Sequence, residues 1–234
     1  MWQRPGRRRH GPRLLAPEEL TDAAVFAERA GPNGVLAGAR IADALAGGTG
    51  WGEVWAFGDP GAIRSLCWFG GTLIPVGVEG GDIAALAARL RSRGRGCASI
   101  VGEAGVALEL WAALETHWPA PRSIRHDQPL MAIGTRGSVE PDPLVRLAAL
   151  AEIESVLPAA VAMFTEELGF SPLRDGPGYR QRVTDLLARG FTYIRTEPPA
   201  GHAPPASAGR ADAPVLFKTD LGAVIGANAQ IHGV

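Results

Sequence analysis

Lysine is almost missing from this 234-residue sequence: Lys218 is the sole example, and arginine supplies the rest of the 23 basic residues. With alanine and glycine abundant, that usage marks a GC-rich coding sequence, so the arginine count carries little functional weight by itself. Neither sign of charge is in excess, since 24 acidic residues leave a net charge of -1. No global positive field gathers phosphates along a duplex, and nucleic acid is not the expected partner. Cysteine is scarce too. Cys67 and Cys97 lie far apart, with no CxxC spacing and no neighbouring histidine, which argues against zinc and against a disulfide framework. Both read as small buried hydrophobes. No apolar run approaches the ~18 residues of a membrane span, and the arginine-rich start lacks the apolar segment of a secretory signal. A cytoplasmic protein without membrane contact is expected. There is no G-x-S-x-G elbow, no H-E-x-x-H and no P-loop, and His117 and His126 have no carboxylate at ligand spacing, so no metal is expected.

What is present is an ordinary globular composition, 46% hydrophobic and 20% charged. At roughly 100 to 200 residues per domain, the length allows one large domain or two small ones. Residues 1–13 hold five arginines and no apolar period, which reads as a disordered basic tail. A helix is predicted from Pro17 to Gly31 and a second from about Gly34 to Gly47, each closed by glycine. Glu53–Phe57, Ile63–Phe69 and Thr72–Val78 then read as a three-stranded meander with turns at Asp59-Pro60-Gly61 and Gly70-Gly71. A helix capped by Asp82, a strand over Cys97–Val101, a helix over Glu103–Trp118 and a closing strand over Pro129–Ile133 complete a first domain, 14–134. Residues 135–143 have the composition of a linker. Beyond it the predicted order is strand (Val145–Leu150), helix (Glu152–Leu168), helix (Gly178–Ala188) and strand (Phe191–Thr196). A low-complexity loop, Glu197–Pro214, precedes two further strands, Val215–Ile225 and Ala229–Val234.

The second unit, 144–234, resembles the amino-terminal half of the GNAT acetyltransferase fold through Met163–Pro172 (MFTEELGFSP), GYRQRVTDLLARG and the closing VLFKTDLGAV and AQIHGV. Residues Pro17–Ile133, through GEVWAFG, IRSLCWFGGTLIPVG, CASIVG and HDQPLMAI, are similar to the uncharacterised companion domain that precedes the acetyltransferase domain in a bacterial subgroup. The resemblance implies an α/β (α+β) fold of two GNAT-like sheets, mixed and mostly antiparallel, flanked by helices. It implies N-acetylation of a small-molecule or protein amine by acetyl-CoA. The sequence stops before the loop that holds the pyrophosphate in that family, so the second sheet is expected to be incomplete, the chain truncated and inactive as given, and a second copy or a completing partner chain is expected at its edge. The competing class is a non-catalytic small-molecule or protein binding module.

The family pattern passes to individual residues as follows. On the last strand Gln230 and His232 share one face. Gln230 matches the position of a family glutamate but cannot take a proton, so it falls to substrate binding and His232 to base catalysis; the plain alternative is a polar strand face. Gly233 and Val234, at the strand end, remain as contacts to the cosubstrate. Glu166 and Glu167, at the end of the helix bordering the acceptor pocket in relatives, either orient an amine or form a solvated helix face. Arg91–Gly96 (RSRGRG) matches the Arg-x-x-Gly-x-Gly pyrophosphate pattern letter by letter, but follows a helix and precedes a strand, the context of a helix C-cap. The first domain also follows the GNAT order without its first strand, and where the anion loop belongs it has Gly77-Val78-Glu79-Gly80-Gly81-Asp82, whose two carboxylates repel a pyrophosphate. It reads as a degenerate module.

Overall fold

The computed structural model describes residues 11–48, 52–134, 137–197 and 214–233, and among them are six α-helices and two sheets, of five and four strands. The chain divides into two compact units, one reaching Ala132 and taking in Ala223–Asn228, the other comprising Ile133–Gly222 and the residues from Ala229 on.

In the first unit β1 (Arg13–Leu14) leads through a 3₁₀ turn, Pro17–Glu19, into α1 (Leu20–Arg29) and α2 (Val35–Leu45). The meander β2 (Gly52–Asp59), β3 (Ala62–Gly70) and β4 (Thr72–Val76) follows, then α3 (Gly81–Arg93), β5 (Ser99–Ile100) and α4 (Ala104–Leu114). The sheet runs β1-β2-β3-β4-β5, antiparallel except for the parallel β4–β5 pair. Successive strand residues point to opposite faces, so an apolar run such as Leu66-Cys67-Trp68-Phe69 supplies two cores at once. Leu66, Trp68, Ile74 and Val76 pack with Ala37 and Ile41 of α2, whereas Trp55, Cys67, Phe69 and Leu73 pack with Leu86, Leu90, Leu110 and Leu114 of α3 and α4. Cys67 and Cys97 are both free and buried in the latter core, and burial pushes both thiols up.

The second unit repeats the first six helices and strands, again with a 3₁₀ turn (Leu150–Glu152) after the first strand: β6 (Arg146–Leu147), α5 (Ile153–Leu168), α6 (Gly178–Ala188), and the strands β7 (Thr192–Thr196), β8 (Val215–Ile225) and β9 (Asn228–His232), ordered β6-β7-β8-β9. Its core is Val156, Leu157, Ala160, Val183, Leu187 and Ile194. The likeness extends to single atoms. Arg13-Leu14-x-Ala16-x-x-Glu19 and Arg146-Leu147-x-Ala149-x-x-Glu152 make the same turn from strand to helix. Arg13 Nη1 donates to Glu19 Oε2 at 2.8 Å and the Ala16 N–H donates to the same oxygen at 3.1 Å. Arg146 donates to both carboxylate oxygens of Glu152, at 2.9 and 2.8 Å, and the Ala149 N–H adds a third bond at 2.8 Å. An alanine has no side-chain oxygen with which to cap the helix, but the glutamate three residues on reaches back to the alanine's own backbone N–H, and the strand arginine neutralises that charge. Both third strands, β4 and β9, end in a glycine in the left-handed region, Gly77 at φ +65° and Gly233 at φ +64°.

The structure corrects the predicted elements at several points. Arg13 belongs to β1 and not to a tail, so the first unit does have its first strand; residues 1–10 lie outside the described residues. The predicted strand at Pro129–Ile133 does not form: the segment is irregular, because an apolar run becomes a strand only beside a partner that takes its backbone groups. The strands at Val145–Leu150 and Cys97–Val101 contract to Arg146–Leu147 and Ser99–Ile100, where ladder partners exist. Most of the Glu197–Pro214 loop, and Arg136 with Thr135 in the linker, lie outside the described residues.

The Glu152 side chain is 5% exposed, and its hydrogen bonds from Arg146 hold the carboxyl below the ordinary glutamate value against the opposing effect of burial. A depressed folded pKa contributes stability above the ordinary glutamate range that is lost as pH falls through the depressed value. Glu152→Ala is therefore expected to cost roughly 2–4 kcal/mol near neutral pH. Thermal melts taken from neutral pH to about pH 3 should show the unsubstituted chain losing more stability on acidification than the variant does.

Candidate functional site

Strand alternation puts two charged side chains on the inner face of β8. Lys218 and Asp220 are two residues apart, so both point at the core of the second unit, and both are buried. The Lys218 ammonium donates to Asp220 Oδ2, and Thr192 Oγ1, from the residue paired with Asp220 across the ladder, donates to Oδ1 at 2.8 Å. Burial and the Asp220 charge together raise the pKa of the Tyr179 phenol, whose hydroxyl donates to the Ala160 carbonyl at 3.1 Å. Desolvating an ammonium and a carboxylate is costly unless they meet, and here they do, with a hydroxyl on the remaining oxygen.

This cluster abuts the end of β9. A Cβ added at Gly233 would stand 3.0 Å from Met163 Cε and 3.3 Å from Lys218 Nζ, so the turn passes close over α5 and the ammonium. Gln230 and His232 are half-buried on one face of β9, and Ala229 and Ile231 alternate with them on the exposed face. The His232 ring lies against Gly222, where an added Cβ would be 2.1 Å from Nδ1. Thr219 Oγ1 donates to the His232 carbonyl at 3.3 Å. The structure thus brings Gly233 close to Lys218, the partner of Asp220, and sets His232 against Gly222 and Thr219 of the same strand β8. Glu166 and Glu167 are exposed in the last turn of α5, and among the described residues no hydrogen bond or ion pair joins them to β9. Val234 lies outside the described residues. The Lys218 cluster escaped sequence reasoning, although the solitary lysine alternating with Asp220 in an otherwise uncharged strand was its signal.

The corresponding turn in the first unit is built differently. Between β2 and β3 the register shifts after Phe57, leaving Arg64 unmatched in a bulge that re-aims its side chain. The guanidinium lies 6.0 Å over the Phe57 ring and forms an ion pair with Asp82, which is 1% exposed in the first turn of α3. The first turn also closes on itself, through Asp82 N–H to Glu79 O at 3.1 Å and Ile83 N–H to Gly80 O at 3.0 Å. The electropositive start of α3 therefore already carries a carboxylate of its own chain. The RSRGRG segment is a helix end: Gly94 is the C-cap of α3, its N–H bonded to Leu90 O, Arg93 pairs with Glu53, and Arg95 donates to the carbonyls of Cys97, Ala98 and Pro119. Among the described residues there is no group of three His, Cys, Asp or Glu that could hold a metal, and no helix long and apolar enough to cross a membrane.

In comparisons with known proteins, the model of a family described as a domain of unknown function (DUF4081) matches residues 52–156, from the start of β2 into α5. No curated protein and no solved structure matches the chain.

Removing the Lys218 charge strands Asp220 in the core. Lys218→Met is expected to lower the unfolding free energy by about 3–5 kcal/mol, and adding Asp220→Leu should recover a substantial part of that loss. Urea titrations of the two variants against the unsubstituted chain measure both quantities.

Proposed function

We propose that the chain is built from two acetyltransferase-like units of the GNAT type, the second serving transfer of an acetyl group from acetyl-CoA to an amine and the first being a copy that no longer binds the cosubstrate. The observation that supports this most is the element order of the first unit: strand, two helices, antiparallel meander, helix, then a strand added in parallel beside the third meander strand, then a helix. That order matches what the resemblance implies, and the second unit repeats its first six elements.

In the proposed reaction a neutral amine on a small molecule or a protein attacks the thioester carbonyl. A C–N bond forms, the C–S bond breaks, and the CoA thiolate departs and is protonated. His232, half-buried at the end of β9 beside the Gly233 turn, takes the proton from the attacking amine. Gln230, on the same face, orients the acceptor through its amide. Glu166 and Glu167, exposed at the end of α5, attract the protonated amine as it approaches, and the amine gives that proton to water before it attacks in its neutral form. The first unit fits a different role. With Asp82 seated in the first turn of α3 and Glu79 just ahead of it, a pyrophosphate there would meet like charge, which favours a non-catalytic binding or scaffolding module for that unit.

Isothermal titration of acetyl-CoA into the chain tests this. Saturable binding that survives Glu79→Gln but is lost in Gly233→Val, where a side chain would have to adopt positive φ against Met163 and Lys218, is the expected result. With an accepted amine, His232→Ala should lower kcat by about 10²–10⁴-fold, read as CoA release. Absence of saturable binding would replace this reading with the binding module for both units.

A further inference from the structure

Arg89, Arg91, Arg93 and Arg95 crowd the end of α3 and the turn after it, and the chain has no aspartate or glutamate between Asp82 and Glu103. All these arginines are exposed. Two of them have a local reason to be there. Arg95 donates to the Cys97, Ala98 and Pro119 carbonyls and so pins the strand that follows, and Arg91, in the last turn, complements the negative end of the helix. Arg89 and Arg93 differ from these. One turn apart, they share a flank of α3, where like charges repel each other.

Aromatic rings hold both in place. Trp55 and Phe69 stack with centroids 5.1 Å apart and are buried. The guanidinium groups of Arg89 and Arg93 lie 5.4 and 5.6 Å from the Trp55 centroid, and that of Arg93 is also 5.2 Å from the Phe69 centroid. A guanidinium held by its face against a ring keeps its N–H edge for an anion. Glu53 accepts from Arg93 Nη2 at 2.7 Å, and its other oxygen accepts from Trp55 Nε1 at 3.0 Å. Arg89 has no carboxylate partner among the described residues. Two held cations therefore share one carboxylate.

Helix positions i and i+4 are about 6 Å apart along the axis, close to the roughly 6.7 Å between alternate residues of an extended chain, whose side chains point the same way. We propose that Arg89 and Arg93 form a docking site for an extended acidic segment of a partner protein, with carboxylates at alternate positions. Arg91, nearly opposite Arg89 around the helix, lies outside the site. The site gives the first unit a partner and does not depend on acetyl transfer in the second.

Fluorescence anisotropy of a labelled peptide of alternating glutamate and threonine, titrated with the full chain at low and at physiological salt, tests the proposal. The expected result is saturable binding that salt weakens and that Arg89→Glu reduces at least about tenfold. Arg91→Glu makes the same change of charge on the other side of the helix and should reduce it less than about threefold at physiological salt. Arg89→Gln, which removes the charge without reversing it, should fall between, with the melting temperature of the unsubstituted chain retained. Absence of saturable binding, an equal loss in Arg89→Glu and Arg91→Glu, or tighter binding of duplex DNA than of the peptide overturns the proposal.

Discussion

The ion pair between Arg146 and Glu152, with its counterpart between Arg13 and Glu19, holds each unit at the place where the chain is weakest. A two-residue strand such as β6 or β1 has almost no ladder of its own, and the helix after it begins on an alanine that cannot cap. One glutamate answers both needs. It accepts the unpaired N–H at the helix start and binds the arginine of the strand, so strand and helix are fixed to each other before either is long enough to be stable alone. The helices then have a defined entry angle, which lets α5 and α6 bring Val156, Ala160, Val183 and Leu187 onto Ile194.

Buried charge is treated in one way and placed in two. Asp82 and Asp220 are each buried and each meet a basic side chain, so neither leaves an uncompensated charge. Asp82 reaches its partner through a bulge and lies in the first turn of a helix, the position where an external anion is most readily held. Asp220 lies within strand β8 and pairs with Lys218, whose ammonium stands close to the turn at Gly233. The repeated scaffold therefore carries a closed helix start in the first unit and, in the second, a polar cluster next to His232. That contrast is why the chemistry is proposed for the second unit.

Local signals in the sequence were enough for the meander and most of the helices. Asp59-Pro60-Gly61 and Gly70-Gly71 separate three runs rich in β-branched and aromatic residues, and the strands at Gly52–Asp59, Ala62–Gly70 and Thr72–Val76 follow them closely. The α3 stop at Gly94 is equally local. The short strands were not legible in the same way. Arg13-Leu14 looks like the end of a basic tail, and Pro129–Ile133 looks more like a strand than β1 or β6 does, yet only the latter two are laddered. Of the candidate site, the strand bearing Gln230 and His232 and their common face could be anticipated from alternation. The proximity of Lys218, Thr192 and Gly233 could not, because those residues are separated in sequence by loops whose lengths say nothing about register.

The sequence by itself determined where chain direction changes and which residues avoid water, because glycine, proline and apolar periodicity act over a few neighbouring residues. Only the tertiary structure decided which runs became strands, which charges were buried against each other, and which helix start was closed by its own carboxylate. Each of these depends on a backbone or side-chain partner supplied from elsewhere in the chain.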